Sequence, residues 1–192
     1  PFPFEFSDDL YLVPETSAEG GVHLYRCVSF PDRWDRVRTI LHGIDAADTV
    51  IFKHCERWWL ITSIRKSQGS SGRYLAIFFT DHPIVGNWIA HPINEAKLYE
   101  EWPNGSGRNA GAPIRASDRL LRPSQQNPNY YGERVRWMEI VELSETGFEE
   151  IALEDFHPLA QFTKQWPMHH MSIHGKVVTW DVRDRLPRGA ER

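Results

Sequence analysis

The 192-residue chain has two cysteines and no block of basic residues. Each scarcity removes a class of protein. Two cysteines cannot staple a small secreted scaffold; Cys27 and Cys55 each sit beside a strand-like run and read as buried free thiols, with one disulfide as the alternative. Lys and Arg total 22 against 26 acids, a net charge of −4, and without clustered cations a non-specific nucleic-acid binder is excluded. No apolar run approaches the roughly 20 residues that a bilayer demands, so no direct membrane insertion is expected. The chain opens at Pro1 without a charged-then-apolar leader, which reads as a processed, trimmed or partial chain; the expectation is a soluble protein, with the cytoplasm favoured. Long amphipathic helices are missing too, the nearest to helical spacing being "DRWDRVRTILHG" at 32–43. There is no His-x-x-x-His ladder, Cys-x-x-Cys pair, Gly-x-Ser-x-Gly elbow, P-loop or Rossmann glycine run. His169 and His170, adjacent in a strand, point to opposite faces, so only one can line a site. No cofactor and no metal is expected.

What the chain does contain is a repeated form. A hydrophobic content of 41% with charges of both signs indicates one globular unit. Four segments share the order apolar strand, short polar turn, second apolar strand, polar stop: "FPFEFSDDLYLVPETS" (2–17), "TVIFKHCERWWLITS" (49–63), "APIRASDRLLRPSQQ" (112–126) and "MSIHGKVVTWD" (171–181). Third strands align behind the first three, as "VHLYRC", "YLAIFFT" and "VRWMEIVEL". A hairpin recurring at about 50 to 60 residues has the period of propeller blades. The expected fold is therefore all-β, a β-propeller of four-stranded antiparallel blades in a single domain over 1–192. The blades fall at about 1–43, 44–95 and 96–155, with a partial one at 156–192, and the second half of 32–43 supplies a fourth strand. Turns are expected near Asp8-Asp9, Cys55-Glu56, Ser117-Asp118 and His174-Gly175. Three and a half blades do not close a ring comfortably, so an N-terminal part of a larger, five-bladed propeller is expected to be missing.

Several motifs carry a resemblance. "PETS", "FPDRW", "DTVIF" with "WWLITS", "GNWIAHPIN", "RNAGAPI" with "RLLRPSQQ", "YYGERV" and a late histidine follow one another along most of the chain. In this order they resemble the N-terminal propeller domain of glucosamine inositolphosphorylceramide transferases and its bacterial relatives, itself similar to the five-bladed furanosidase-like propellers. The most specific pieces are Gly86, Trp88, His91, Pro92 and Asn94, then Arg122, Pro123, Gln125, Tyr131 and Gly132. Gln126 stands where the family pattern carries an acid, and nothing here resembles the glycosyltransferase domain that follows the propeller in the plant proteins. The resemblance implies a carbohydrate-linked role and a possible glycosyltransferase partner domain.

The first strand of a blade lines the central channel, so its starting residues meet at one mouth. That places Asp45 and Asp48, Arg108 and Asn109, and one of the two histidines together. Asp48 and Glu15 are the candidate catalytic carboxylates, Glu15 being the only other acid on a suitable loop. The segment "GRNAGAPI", where a furanosidase-like hydrolase would carry its second acid, has none, which leaves a two-carboxylate hydrolase incomplete. The candidate ligand-binding residues are Arg108, Arg122, Gln125, His170, Tyr131 and Trp88. Two arginines at a mouth imply an anionic or phosphate-linked sugar, because guanidinium matches such oxygens with paired donors; Arg122 has the alternative of pairing with an acid inside its blade. Trp58, Trp59 and Trp137 sit in strand patterns and read as core, while Trp88 and Trp102, beside loop glycines, read as more open. Three readings follow: a propeller acting in or supporting glycosyl transfer, a non-catalytic glycan- or protein-binding propeller, and a furanosidase-like hydrolase.

Overall fold

The computed structural model describes residues 2–67, 72–99, 107–127, 129–154 and 168–182. Apart from two short 3-10 turns, the regular structure there is strand. The first sheet runs β1 (Phe2–Phe6), β2 (Asp9–Val13), β3 (Gly21–Ser29) and β4 (Arg33–His42) in chain order, every neighbour antiparallel. The second runs β5 (Ala46–His54), β6 (Arg57–Arg65), β7 (Arg73–Thr80) and β8 (Ile89–Ala90). A third follows with β9 (Ile114–Ala116), β10 (Arg119–Gln126), β11 (Arg134–Leu143) and β12 (Phe148–Leu153), and then a hairpin of β13 (Met171–His174) and β14 (Val177–Trp180). The segment with helical spacing is strand β4, as the repeat requires.

The first two strands of each unit are joined by two-residue turns, closed by the pairs Phe6 with Asp9, His54 with Arg57, Ala116 with Arg119 and His174 with Val177. Such turns need a left-handed residue to match strand twist. Ser7 and Asp8, Cys55, Ser117 and Gly175 supply it, with φ between 49° and 65°. Each expected turn lies within a residue of the observed one. Both cysteines are free, yet neither is buried: Cys55 occupies an exposed hairpin tip and Cys27 is half-covered on β3.

Three cores lie between successive sheets. Phe4, Val13, Leu24, Ile51, Leu60 and Ile84 belong to the first. The second holds Val50, Trp59, Ile61, Ile77, Leu120 and Ile140. Leu121, Trp137 and Met171 fill the third, against the last hairpin. The second and third sheets therefore bury both faces on the sheets before and after them, which is why Val50 and Ile51, adjacent in β5, are both inside although they point oppositely. Trp59 and Trp137 are core, at 2% and 0% exposure.

The segment "GNWIAHPIN" completes the second sheet where β8 provides only two residues. The Asn94 side-chain amide bonds both backbone groups of Ile77, accepting from its N–H and donating to its carbonyl at 2.8 Å each. His91 Nδ1 accepts from Ile93 N at 3.0 Å, which leaves Nε2–H to donate to Ser144 O of the third sheet at 2.8 Å. Gly86 is required by close approach, since a Cβ there would stand 2.2 Å from Thr80 Oγ1 and 2.5 Å from His82 O. Among the described residues no helix is long and apolar enough to cross a membrane.

Candidate functional site

The inner ends of the sheets meet around Asp48. The β5–β6 register slips between Ala47 and Val50, and a bulge re-aims the side chains beside it. Asp48 sits in that slip with φ +54°, a left-handed conformation that costs a non-glycine residue on the order of 1 kcal/mol or more. Thr62 Oγ1 compensates by donating to Ala47 O at 3.0 Å.

The Asp48 carboxylate receives three donors. Arg108 binds it with Nε at 2.6 Å to Oδ2 and Nη2 at 3.1 Å to Oδ1, and Gln125 Nε2 reaches Oδ1 at 3.2 Å. Arg108 precedes β9 on an inner segment that pairs with β10, through Gln125 N to Arg108 O and Ala110 N to Pro123 O at 2.9 Å each. Burial would lower the Arg108 pKa, but the bonds to Asp48 outweigh it and hold the guanidinium more firmly protonated than usual. Asn109 lies behind the pair. Its Nδ2 donates to Asp48 O at 2.8 Å and to Ile61 O at 3.1 Å.

A cleft of about 380 Å³, counting the open solvent at its entrance, is walled by Phe2, Val13 and Glu15 from the first sheet, Asp48 to Val50 from the second, Asn109 and Gly111 from the third, and His170 before the last hairpin. Glu15 is exposed and lies within electrostatic reach of Arg108 and Tyr131. Arg108 stands 5.5 Å from the Tyr131 ring centroid, a cation–π distance, and His169 packs on the same ring at 4.9 Å. The loop carrying Tyr131 is tied by Asn127 Oδ1, which accepts from Gly132 N at 2.7 Å. Burial raises the Tyr131 pKa, Arg108 opposing and Asp48 reinforcing the shift. Asp181 accepts from the backbone N–H of His169 and of His170 at 3.1 and 2.7 Å and bonds the His169 ring, leaving His170 to face the cleft. Partial loss of water lowers the His170 pKa from its ordinary value, with the Asp181 carboxylate opposing the shift.

The structure thus brings Asp48, Glu15, Arg108, Gln125, His170 and Tyr131 to one mouth. Arg122 and Trp88 are elsewhere. Arg122 is fully buried, its guanidinium bound to Glu150 on β12 and to Asn109, because its strand position points into the sheet packing. Trp88 packs on the core between the first two sheets. Trp102 falls outside the described residues. Glu150 and Asp181 escape a reading of the sequence because their partners, Arg122 and His169, lie 28 and 12 residues away.

Asp45, the other acid at the head of β5, anchors the strand. Its carboxylate bonds Arg65 and also Arg73, the latter at 2.7 Å. Burial alone would raise its pKa; the two guanidinium groups overcome this and hold it below the ordinary value. A depressed folded pKa gives stability that is present above the unfolded value of about 4 and is lost as pH falls through the folded one. Asp45→Asn should therefore unfold at lower urea than wild type near neutrality, and the gap should narrow as pH drops below about 4. A gap independent of pH would count against this assignment.

Sheets that each run outward in chain order and pack face on face define a β-propeller. The solved structures agree: an exo-β-1,3-galactanase from Clostridium thermocellum covers 77% of this chain and 32% of its own at TM-score 0.56 and 14% identity. A GH43_1 enzyme from Xanthomonas citri, complexed with xylose, covers 91% of this chain and 62% of its own at TM-score 0.56 and 11% identity. Both are five-bladed propellers, and at such identities the likeness is one of fold. Residues 1–174 match the family described as glucosamine inositolphosphorylceramide transferase 1, N-terminal, and the chain belongs to that family. Curated relatives of that name are 30% identical in Arabidopsis thaliana and 26% in Oryza sativa subsp. japonica, each over 152 residues and 79% of this chain. The chain spans only 19% and 20% of their lengths. Fold and family together make this a carbohydrate-related β-propeller.

Proposed function

We propose that the mouth is a glycan-binding cleft in a propeller that acts in or supports glycosyl transfer during glycolipid or polysaccharide assembly. The observation that carries this reading is the convergence of Glu15, Asp48, Asn109 and His170, from four sheets, on one cleft. A sugar is a dense array of hydroxyl donors, and the groups left over here are acceptors. Glu15 is exposed, and Asp48 keeps lone-pair capacity beyond its three donors.

The same inventory argues against the phosphate-linked ligand expected from two free arginines. Arg122 is spent on Glu150 and Arg108 on Asp48, so an anion would meet two carboxylates and one already neutralised guanidinium. A neutral or amino sugar suits the mouth better. Glucosamine, named in the relatives, is the natural probe. In calorimetric titrations of wild type, glucosamine and glucose should bind more tightly than glucose 6-phosphate. Asp48→Asn should weaken glucosamine binding about 10- to 100-fold, the worth of one charge-assisted contact. Phosphate preference in wild type, or unchanged affinity in Asp48→Asn, would defeat the proposal. A hydrolase reading gains from one observation, that Glu15 and Asp48 wall the same cleft; release of sugar from a glycoside, lost in Glu15→Gln, is its signature.

A further inference from the structure

The third sheet contains an ion pair shut away from water. The Arg122 and Glu150 side chains are 0% and 1% exposed, joined through Nε at 2.9 Å and through Nη2, with the Tyr99 hydroxyl within electrostatic reach of Glu150. Such a pair is a poor way to stabilise a fold. Desolvation consumes most of the Coulomb gain, and a well-packed apolar pair commonly serves as well or better. One further contact of Arg122 shows another use.

Arg122 Nη1 donates to Asn109 Oδ1 at 3.1 Å. The two ends of a side-chain amide have nearly the same shape and can exchange places, so a neighbour must decide which faces where. A guanidinium accepts nothing. Oδ1 must therefore face Arg122, and Nδ2 then faces the carbonyls of Asp48 and Ile61. Asp48 needs restraint, with its left-handed φ of +54° in a bulge. We propose that Arg122 is a positioning residue: by orienting the Asn109 amide it pins the Asp48 carbonyl, which keeps the Asp48 carboxylate turned toward Arg108 and the cleft. Glu150 holds Arg122 in place from the far side. The positional statement stands on geometry alone, while its consequence for ligand affinity rests on the glycan reading above.

The test replaces the ion pair by an apolar pair of similar reach, Arg122→Met with Glu150→Leu, in the whole chain. The fold should persist. In nuclear magnetic resonance spectra the Asp48 backbone amide should shift, the Asn109 side-chain amide should lose its slow exchange with solvent, and calorimetry should show glucosamine affinity reduced about tenfold. If Asp48 and Asn109 keep their wild-type signatures, the proposal is overturned and the pair is only packing. Movement of Asp48 with no change in glucosamine affinity would uphold the positioning and overturn the glycan reading. Asn109→Leu provides a second line should the double variant not fold: it spares the ion pair, removes the middle of the relay, and must displace Asp48 in the same way.

Discussion

Arg122→Met alone is expected to destabilise the protein by about 3–5 kcal/mol, the usual loss when one partner of a buried ion pair is removed. Glu150 would stay behind with its side chain 1% exposed. Its charge would then face β-sheet packing and the Tyr99 hydroxyl, neither of which replaces a guanidinium. Adding Glu150→Leu should recover most of the loss, although two changes have then been made. Urea unfolding of both variants measures this directly. A deficit under about 1 kcal/mol for Arg122→Met would mean that Glu150 finds another cation or water on relaxation.

Gly111→Ala should be of comparable severity for a different reason. Gly111 has φ +151°, and a Cβ built there would lie 2.1 Å from Met171 O and 3.4 Å from Pro123 Cγ. The neighbouring Ala110 O accepts from Met171 N at 2.6 Å, so this point is where the last hairpin docks on the third sheet. A methyl group there has to push the hairpin off. We expect a loss of about 3 kcal/mol or more, combining overpacking with backbone strain, and hydrogen exchange should show the Met171 amide losing protection. Because His170 enters the cleft from this hairpin, glucosamine binding should fall as well. Unchanged protection at Met171 would show that the sheets tolerate a wider spacing than their packing suggests.

The hairpins could be read from the chain because their causes are local. Apolar runs and two-residue polar turns repeat, and residues such as Asp8 and Gly175 mark left-handed positions. The family signature was legible for the same reason. Charge pairing was not, since Arg108 meets Asp48 across 60 residues and Arg122 meets Glu150 across 28. Those meetings depend on how one sheet lies on the next. Hence the two arginines looked alike in the sequence, yet one borders the mouth and the other is interior. Trp88 stands beside a glycine that reads as part of an open loop, whereas the Gly86 backbone is pressed against Thr80 and His82, the opposite of openness. Glu15 was harder to weigh than Asp48, because its place on the wall follows from the pairing of Val13 with Phe2 at the channel end of β1.

The Asn94 amide that completes the second sheet has a consequence for how these molecules behave toward one another. A strand at the margin of a sheet ordinarily offers a row of backbone groups on which a neighbouring chain can grow, and this is how β-rich proteins come to aggregate. At Ile77 the Asn94 side chain takes both groups, the carbonyl being shared with His91 N at 3.0 Å, and two residues back Leu75 N donates to Leu98 O at 2.9 Å. A side-chain amide, unlike a strand, has no continuing peptide row behind it to present. The outer edge of β7 is therefore taken up around Ile77 by a side chain together with short main-chain contacts at His91 and Leu98, and needs no long fourth strand to be closed to a neighbouring chain there.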